Sequence, residues 1–436
     1  MCPLAEILHK EGYELSGSDN NETDTLARVR SLGIPVTLGQ KAENIDGAEL
    51  IVYTAAILPD NPELVAAKNS GIPTVERADL LGAITRLYSD CYCVCGTHGK
   101  TTVSSMLTQI MLQCDKDPSA VIGGELPLIR SHGRVGETQN MVCEACEFKD
   151  HFLKLDPDIA IILNVDADHL EYFKNIENII KSFNRFAKMA NKAVIYNGDD
   201  ANTLKAVADV GGKDMITFGL DKSNDFYAEN VEMVNAFAHF DAYKKGEKIG
   251  SVKLKVPGKH NVTNALAALA AADYCGIPFD KAIASLEQFG GACRRFEILA
   301  KLNGITFADD YAHHPTELRV TLEAAMQMKY RKVWAVFQPF TYSRTKKLMD
   351  DFAEVLKIPD ECVMTEIMGS REVNTEGVYT SQLAAKIPGS VWFNTFDEVA
   401  DYVLAHAQSG DLVITLGCGD IYKAAKLMIK RLENEK

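Results

Sequence analysis

The sequence predicts an α/β protein of three domains built on mostly parallel, doubly wound sheets. Short runs of β-branched and other apolar residues alternate with helical patterns along nearly the whole chain, as in consecutive βαβ units. A domain contains roughly 150 residues, so the 436 residues of the chain suggest about three domains. Hydrophobic residues make up 47% of the chain, which is enough to fill several cores.

The composition argues against nucleic acid and membranes as partners. The net charge is 46 − 60 = −14, and no run of Lys or Arg offers a local groove for a polyanion. The longest apolar runs, around residues 158–165 and 262–272, fall short of the ~20 residues that span a bilayer. The chain start has no signal-peptide pattern, and we interpret the eleven cysteines as reduced thiols, so we expect a cytoplasmic protein.

The first predicted domain covers residues 1–89. Its pattern predicts helices over residues 4–11 and 62–70, a strand over residues 49–54 and another strand that starts at Gly71. We place its boundary near residues 88–90, because a new apolar strand begins directly afterwards.

The second predicted domain covers residues 90–296. It contains predicted strands over residues 91–95, 141–144, 158–165 and 193–196 and an Ala-rich helix over residues 262–274. Residues 221–256 alternate polar and apolar side chains in short runs, which indicates an antiparallel insertion or edge.

The third predicted domain covers residues 297–436. Its predicted strands occupy residues 305–310, 332–337, 362–367, 391–394 and 412–416, with helical patterns between them. This alternation favours a second doubly wound sheet.

A glycine-rich segment between the strand at residues 91–95 and the following helix is the sharpest chemical signal. It reads Gly96-Thr97-His98-Gly99-Lys100-Thr101-Thr102. Glycines let backbone N–H groups approach phosphate oxygens, a lysine reaches the terminal phosphates, and a threonine hydroxyl can ligate Mg²⁺. The strict P-loop spacing fails because Val94 stands where that motif has glycine, so an ordinary strand-to-helix turn is the alternative.

Polar residues also end three other apolar strands of the second domain. They are Glu144, the cluster at residues 166–169 and the cluster at residues 197–200. In a parallel sheet these groups share the carboxyl edge with Lys100, where carboxylates and an imidazole can hold Mg²⁺. Helix N-capping is the alternative interpretation for Asp168 and Asp199.

The cysteines of the second domain are interpreted as core residues. Cys91, Cys93 and Cys95 alternate along one strand and face one side of it. Cys143 and Cys146 have a CxxC spacing, but no second cysteine or histidine pair follows at zinc-site spacing.

Four later clusters complete the candidate site. Asn261 and Asn264 lie three residues apart near the start of the Ala-rich helix and can hydrogen-bond a purine, although N-capping is an alternative for Asn261. Arg294 and Arg295 lie near the predicted domain junction, where a guanidinium can hold phosphate. Residues 309–315 and 338–345 follow two strands of the last domain and therefore lie at its carboxyl edge.

These residues resemble the Mur ligase family. The motifs GTHGKTT, NVDADHLEYF, GKHNVTNALAA, RRFE, DDYAHHPTE, QPFTYSRT and LGCGDI occur in the order typical of that family. SGSD at residues 16–19 is similar to its UDP-binding domain. The resemblance implies an incomplete Rossmann-like first domain, a P-loop-type ATP-binding middle domain and a Rossmann-like last domain.

The resemblance implies ATP-dependent ligation of L-alanine to UDP-N-acetylmuramate through an acyl phosphate, in peptidoglycan precursor synthesis. The implied cofactors are ATP and Mg²⁺. The implied catalytic residues are Lys100, His169, His313 and Arg344, and the implied metal ligands are Thr101, Glu144 and His169. The nucleotide would be bound by Gly96, Thr97, His98, Gly99, Lys100, Thr101, Thr102, Asn261, Asn264, Arg295 and Asp310. The other substrates would be bound by Asp19, Thr54, Tyr311, His313 and Arg344.

The sequence departs from the family pattern at three places. Family members begin with a strand and a GxGGxxM loop that binds the UDP diphosphate, whereas this sequence begins with residues that match only the segment after that loop. We therefore expect weak binding of UDP-N-acetylmuramate. Phe340 stands where a histidine is frequent, which leaves glycine, serine or a peptide as possible second substrates, and Cys146 stands where an acidic residue is common.

Two other functions remain as alternatives. A murein-peptide ligase would join a tripeptide to the same sugar nucleotide. A non-catalytic nucleotide-binding protein is the alternative from another class, but it has no physical need to keep Lys100, Glu144 and His169 together.

Overall fold

The computed structural model describes residues 1–370, 372–375 and 377–434, which form two compact units. Unit 1 comprises Met1–Glu229, Asp241–Gly250 and Thr263–Leu286, and unit 2 comprises Asn230–Phe240, Ser251–Val262 and the described residues from Glu287 onward. The predicted second domain therefore contributes residues to both units. None of the described helices is long and apolar enough to cross a membrane.

The N-terminal segment of unit 1 contains four short strands in two separate parallel pairs, β1–β2 and β3–β4, among its described residues. Its elements are α1 (Cys2–Lys10), β1 (Gly17–Asp19), α2 (Asp24–Ser31), β2 (Val36–Leu38), β3 (Ile51–Tyr53), α3 (Pro62–Asn69), β4 (Thr74–Glu76) and α4 (Arg77–Thr85). Asn61 caps α3, since its Oδ1 accepts hydrogen bonds from two backbone N–H groups of the first turn. The predicted helices and strands of this segment are confirmed.

Within the described residues, one ten-stranded sheet organises the next part of the chain in the order β14-β13-β12-β11-β10-β9-β5-β8-β6-β7. The strands are β5 (Asp90–Cys95), β6 (Ser119–Leu126), β7 (Ser131–Arg134), β8 (Asn140–Glu144), β9 (Ile159–Ile162), β10 (Ala193–Asn197), β11 (Asp214–Gly219), β12 (Phe226–Val234), β13 (Phe237–Lys244) and β14 (Glu247–Pro257). The helices are α5 (Lys100–Gln113), α6 (Leu170–Phe173), α7 (Ile176–Met189), α8 (Ala201–Val207), α9 (His260–Tyr274) and α10 (Phe279–Leu286).

The centre of this sheet is parallel, as predicted. Strand β5 pairs in parallel with β8 and β9, and β9 pairs in parallel with β10. Two-residue turns at Asn235-Ala236 and Lys245-Gly246, all with positive φ, join β12 to β13 and β13 to β14. Neighbouring strands joined so tightly run antiparallel, which confirms the predicted antiparallel insertion.

Of the five cysteines of unit 1 that were predicted to be core residues, four are buried and one is exposed. Cys91, Cys93, Cys95 and Cys143 are fully buried in its hydrophobic cluster. Cys146 is exposed, so its interpretation as a core residue is wrong. Strand β8 ends at Glu144, and the alternation that buries Cys143 no longer governs the chain beyond that point.

Unit 2 is built on a second sheet, whose six described strands lie in the order β15-β16-β20-β17-β18-β19. They are β15 (Glu297–Leu302), β16 (Ile305–Asp310), β17 (Val333–Phe337), β18 (Glu361–Thr365), β19 (Val391–Phe393) and β20 (Leu412–Leu416). The helices are α11 (Pro315–Gln327), α12 (Tyr342–Lys347), α13 (Met349–Val355), α14 (Thr380–Ala384), α15 (Phe396–His406) and α16 (Tyr422–Asn434). All pairs except β15–β16 are parallel, which confirms the predicted doubly wound sheet.

Candidate active site

The glycine-rich loop joins β5 to α5 at the carboxyl edge of the large sheet. Gly96 and Gly99 have φ values of 146° and 87°, which L-residues other than glycine rarely adopt. A Cβ atom on Gly99 would lie 2.8 Å from Asn264 Oδ1, and one on Gly96 would lie 2.9 Å from Leu163 Cβ. Both positions therefore require glycine, for conformation and for space.

Asn164 fixes the shape of this loop from the end of β9. Its Oδ1 accepts a hydrogen bond from His98 N at 2.8 Å, and its Nδ2 donates to His98 O at 3.0 Å. Thr97 N donates to Asn164 O at 3.1 Å, and Thr97 Oγ1 accepts from Asp166 N at 2.9 Å. The sequence analysis did not identify Asn164 as a site residue. The one feature that could have indicated its role is an amide side chain at the end of a buried apolar strand.

Lys100 is the first residue of α5, and its side chain is only 15% exposed. Its Nζ donates to Gly96 O at 2.6 Å and to Thr97 O at 3.1 Å, and it lies 3.1 and 3.0 Å from the two carboxylate oxygens of Glu147. Burial, the largest single effect, lowers the pKa of Lys100, but the charge and hydrogen bond of Glu147 together with the nearby Cys146 and Glu144 outweigh it and raise that pKa above its ordinary value. The ammonium therefore stays charged, and Glu147 is a site residue that sequence reasoning missed.

Thr101 and Glu144 meet beside the loop. Thr101 Oγ1 donates to Glu144 Oε1 at 3.0 Å, and Gly123 N donates to Glu144 Oε2 at 2.7 Å. A hydroxyl and a carboxylate are hard oxygen donors, which suit a divalent cation that also keeps waters and phosphate oxygens. The structure therefore brings two of the three predicted metal ligands together, and their binding of a cation stays a prediction.

His169 lies next to a different carboxylate. Its Nε2 is 4.0 Å from Glu147 Oε1 and 3.8 Å from Asp168 Oδ2, and its ring centroid is 4.9 Å from that of Phe148. Among the described residues, no group of three histidine, cysteine or acidic side chains is arranged to hold a metal ion. A cation at this edge would therefore take part of its coordination from phosphate or water.

The remaining predicted nucleotide ligands of unit 1 surround the same loop. His98 Nε2 lies 3.6 Å from Asp166 Oδ2, and Thr102 is half-buried in the first turn of α5. Asn264 places its amide oxygen against Gly99. The loop and the first turns of two helices thus form one cluster.

The N-capping alternative for Asn261 is wrong. Asn261 lies inside the first turn of α9, and its Nδ2 donates to Pro257 O at 2.7 Å. The alternative is also wrong for Asp199, which accepts hydrogen bonds from Leu220 N and Asn224 Nδ2, whereas Asp200 caps α8.

Arg294 is held inside unit 2. Its Nε donates to Asp309 Oδ2 at 2.8 Å, and its Nη2 donates to Gly417 O at 2.6 Å. Its guanidinium carbon lies 4.9 and 4.8 Å from the ring centroids of Tyr311 and Tyr422. This guanidinium holds the carboxyl edge of the second sheet together, so the expectation that it binds phosphate is not supported.

Asp310 and Arg295 lie at the same edge. Asp310 is buried, and its two oxygens accept hydrogen bonds from Phe296 N and Ala312 N, each at 2.7 Å. Burial raises the pKa of Asp310 to about 6, although the charge of Arg295 and the two backbone hydrogen bonds oppose that shift. The guanidinium carbon of Arg295 lies 5.3 Å from the Tyr311 ring centroid.

His313 lies among the residues of unit 2 that were predicted to bind the amino-acid substrate. Its Nδ1 lies 3.1 Å from Tyr311 O and 3.2 Å from Glu317 Oε2. The ring of Phe340 contacts it edge-on, with centroids 6.5 Å apart. Phe340 thus lines the cluster that contains Tyr311 and His313.

Arg344, on α12, belongs to the same edge of unit 2. Burial raises the pKa of the Cys418 thiol to about 12, and the charge of Arg344 acts to lower it. The pKa of Tyr311 is raised first by burial and then by the same Cys418 group. Tyr311 and Arg344 therefore both lie near Cys418.

Asp19 and Thr54 end two strands of different N-terminal sheets. Asp19 Oδ1 accepts a hydrogen bond from Asn21 N at 3.0 Å, and Thr54 Oγ1 accepts from Ala56 N at 3.2 Å. Each side chain shapes the turn that follows its strand, and their predicted contact with substrate stays a prediction.

Family models match the chain in three consecutive segments. The Mur ligase family catalytic domain matches residues 1–89, the Mur ligase middle domain residues 94–272, and the Mur ligase glutamate ligase domain residues 294–419. The predicted three-domain α/β fold is thereby confirmed.

Curated relatives match over nearly the full length. The chain is 42% identical to UDP-N-acetylmuramate–L-alanine ligase of Acetivibrio thermocellus, with 99% of this chain and 93% of that protein covered. It is 43% identical to the protein of the same name from Agathobacter rectalis, with 99% and 95% covered. Among solved structures, UDP-N-acetylmuramate-alanine ligase MurC of Thermotoga maritima superposes with a TM-score of 0.85 at 27% identity, covering 100% of this chain and 97% of that one.

The loop geometry predicts the effect of Gly99→Ala. Alanine at φ 87° is strained by ~1–2 kcal/mol and its Cβ meets Asn264, so we expect the loop to shift and ATP binding to weaken about tenfold. Gly212→Ala is the matched control, because Gly212 has φ 75° but nothing within 4 Å. Equal ATP affinity of both variants, measured by calorimetry, would contradict the assigned role of the loop.

The raised pKa of Asp310 predicts a pH dependence of stability. Folding raises the pKa of Asp310 from 3.8 to about 6, so the folded state binds a proton more tightly than the unfolded state. The stability that this protonated carboxyl contributes is fully present below pH 4 and is lost as the pH rises through 6. The difference in unfolding free energy between wild type and Asp310→Asn should therefore change by at most about 3 kcal/mol over this range. Denaturant titrations at several pH values measure it, and a pH-independent difference would refute the role assigned to burial.

Proposed function

The chain belongs to the Mur ligase family, and we propose that it is an ATP-dependent ligase that joins L-alanine to UDP-N-acetylmuramate. The observation that carries the proposal is the loop with its charged Lys100 and its Thr101–Glu144 pair, in a chain 42–43% identical to ligases of that name. This arrangement suits a nucleoside triphosphate and a divalent cation at one edge of a parallel sheet.

The proposed reaction activates a carboxylate before an amine attacks it. A carboxylate oxygen of UDP-N-acetylmuramate attacks the γ-phosphorus of ATP, ADP leaves, and an acyl phosphate forms. The amine of L-alanine then attacks the acyl carbon and expels inorganic phosphate, which carries away the oxygen that joined carbon to phosphorus. An amine does not attack a free carboxylate at neutral pH, because the carboxylate has no good leaving group. Formation of the acyl phosphate supplies that leaving group.

In this reaction the chain supplies positive charge and oriented donors to the phosphates. Lys100 is charged, largely shielded from solvent and held beside the loop, so its ammonium can offset negative charge on the transferring phosphoryl group. The backbone N–H groups at the start of α5 face the same position, since Gly99 opens that helix. His169 borders this edge on the side of Glu147.

We propose Mg²⁺ as the cation. Thr101 and Glu144 would hold it through oxygen, and His169 would border a second position, as the family pattern implies. When bound, Mg²⁺ would supply Lewis-acid polarisation of the phosphates. The donor set fits, because Mg²⁺ is usually held by one or two carboxylates together with substrate phosphates and waters.

The other substrate contacts are proposed for the second sheet and for the N-terminal segment. Tyr311 and His313 pack edge-on with ring centroids 5.6 Å apart, and Arg344 lies on α12, which follows β17 at the carboxyl edge of unit 2. Two rings and one guanidinium suit a small amino acid. Asn261, Asn264, Arg295 and Asp310 are proposed for the nucleotide, and Asp19 and Thr54 for the UDP-sugar. Phe340 lies beside His313 at this end of the site, so glycine, L-serine and a tripeptide are the amines to compare with L-alanine.

Phosphate release with single omissions tests the activity. We expect ATP, Mg²⁺, UDP-N-acetylmuramate and L-alanine together to release phosphate, and each omission to abolish release. Glycine, L-serine and a tripeptide serve as parallel amines. Release with the tripeptide but not with L-alanine would indicate a murein-peptide ligase, and no release with ATP still bound would indicate a non-catalytic protein.

Substitution of the cation ligands should change the Mg²⁺ requirement. We expect Glu144→Gln and Thr101→Val each to raise the Mg²⁺ concentration needed for half-maximal activity about tenfold or more, since each removes an oxygen donor. Thr101→Ser keeps the hydroxyl and is the matched control. An unchanged Mg²⁺ titration in Glu144→Gln would exclude Glu144 as a ligand.

A further inference from the structure

The carboxylate of Glu147 is buried and is bound to the loop lysine. Its side chain is 3% exposed, and its two oxygens lie 3.1 and 3.0 Å from Lys100 Nζ. The same ammonium donates to Gly96 O and Thr97 O. An ammonium has three N–H donors, so these three partners account for all of them before any phosphate is present.

The backbone that follows Glu147 is strained. Lys149 and Asp150 have φ values of 52° and 59°, the left-handed region that non-glycine residues avoid. Asp150 is anchored, because its carboxylate accepts hydrogen bonds from Tyr172 OH at 2.8 Å and from Ser182 Oγ. Such strain persists only where the surrounding structure enforces it, and it clusters at functional sites.

The strained segment also connects the lysine to the histidine at the next strand end. Asp150 N donates to Glu147 O at 2.9 Å, which closes a turn around Phe148. The ring of Phe148 packs against His169, whose Nε2 is 4.0 Å from Glu147 Oε1. One short turn therefore touches both Lys100 and His169.

We propose that Glu147 is a positioning residue that sets the orientation of Lys100 and competes with phosphate for its charge. The inference rests on the proposed function, because it assumes that phosphate binds at Lys100. A nucleotide must take over at least one donor that Lys100 now gives to the carboxylate or to the loop carbonyls. Glu147 thus weakens nucleotide binding while it keeps the ammonium correctly aimed for phosphoryl transfer.

Two effects are expected, and two variants separate them. Glu147→Gln keeps the shape of the side chain but removes its charge, so the affinity for ADP without Mg²⁺ should increase roughly fivefold. Glu147→Asp keeps the negative charge on a side chain that is one methylene shorter. The affinity of this variant for ADP without Mg²⁺ should therefore stay within about twofold of wild type. Both variants should lower kcat about tenfold or more, since Lys100 is then misplaced.

Calorimetric titration of Mg²⁺-free ADP and phosphate release at saturating substrates measure the two effects. Glu6→Gln is the matched control: Glu6 is 7% exposed in the same unit, and its partners are Arg28, at 2.5 Å, and Cys2, neither of which belongs to the loop. We expect this control to leave ADP affinity and kcat at wild-type values, even if its stability falls.

The outcomes are distinct. Tighter ADP binding and a lower kcat in Glu147→Gln, with only the kcat loss in Glu147→Asp, support the proposal. Unchanged or weaker ADP binding in Glu147→Gln overturns it, whether or not thermal stability falls. The ADP titration needs neither L-alanine nor UDP-N-acetylmuramate, so it decides the role of Glu147 even if wild type shows no ligase activity.

Discussion

The conformation of one short connection, from the end of β5 to the start of α5, is the constraint on which the proposed chemistry depends. Two glycines with positive φ let the backbone fold closely around a phosphate position, and Asn164 fixes that fold from the neighbouring strand with three hydrogen bonds. The loop in turn supplies two carbonyl partners for Lys100 and starts the helix that carries Thr101. Charge, donors and cation ligands are thus organised by backbone geometry.

Buried charge is used differently in the two units. In unit 1 the Lys100–Glu147 pair borders the loop, and short contacts within the pair and the hydrogen bonds that Lys100 donates to Gly96 O and Thr97 O oppose the cost of desolvating both charges. In unit 2 the Arg294–Asp309 pair is satisfied within the fold and stacked between two tyrosines, so it stabilises the carboxyl edge. The first pair borders the proposed phosphate position, whereas the second stabilises the fold of unit 2.

Sequence patterns predicted most of the fold and most residues of the candidate site. Alternation of apolar runs located the strands of both large sheets, and glycine, lysine and threonine located the loop that we propose binds phosphate, because these signals are local. Asn164 and Glu147 were missed because their importance comes from partners 66 and 47 residues away along the chain. Cys146 was assigned to the core because spacing alone does not reveal where a strand ends, and the burial of Asp310 depends on backbone groups that no motif encodes.

The proposed mechanism requires that a carboxylate oxygen attacks ATP before the amine reacts. The most direct test uses UDP-N-acetylmuramate labelled with ¹⁸O in its carboxylate, with ATP, Mg²⁺ and L-alanine, and then mass analysis of the released phosphate. We predict one ¹⁸O atom in each phosphate, because the bridging oxygen leaves with phosphorus. Phosphate released in step with peptide-bond formation but free of ¹⁸O would contradict the mechanism.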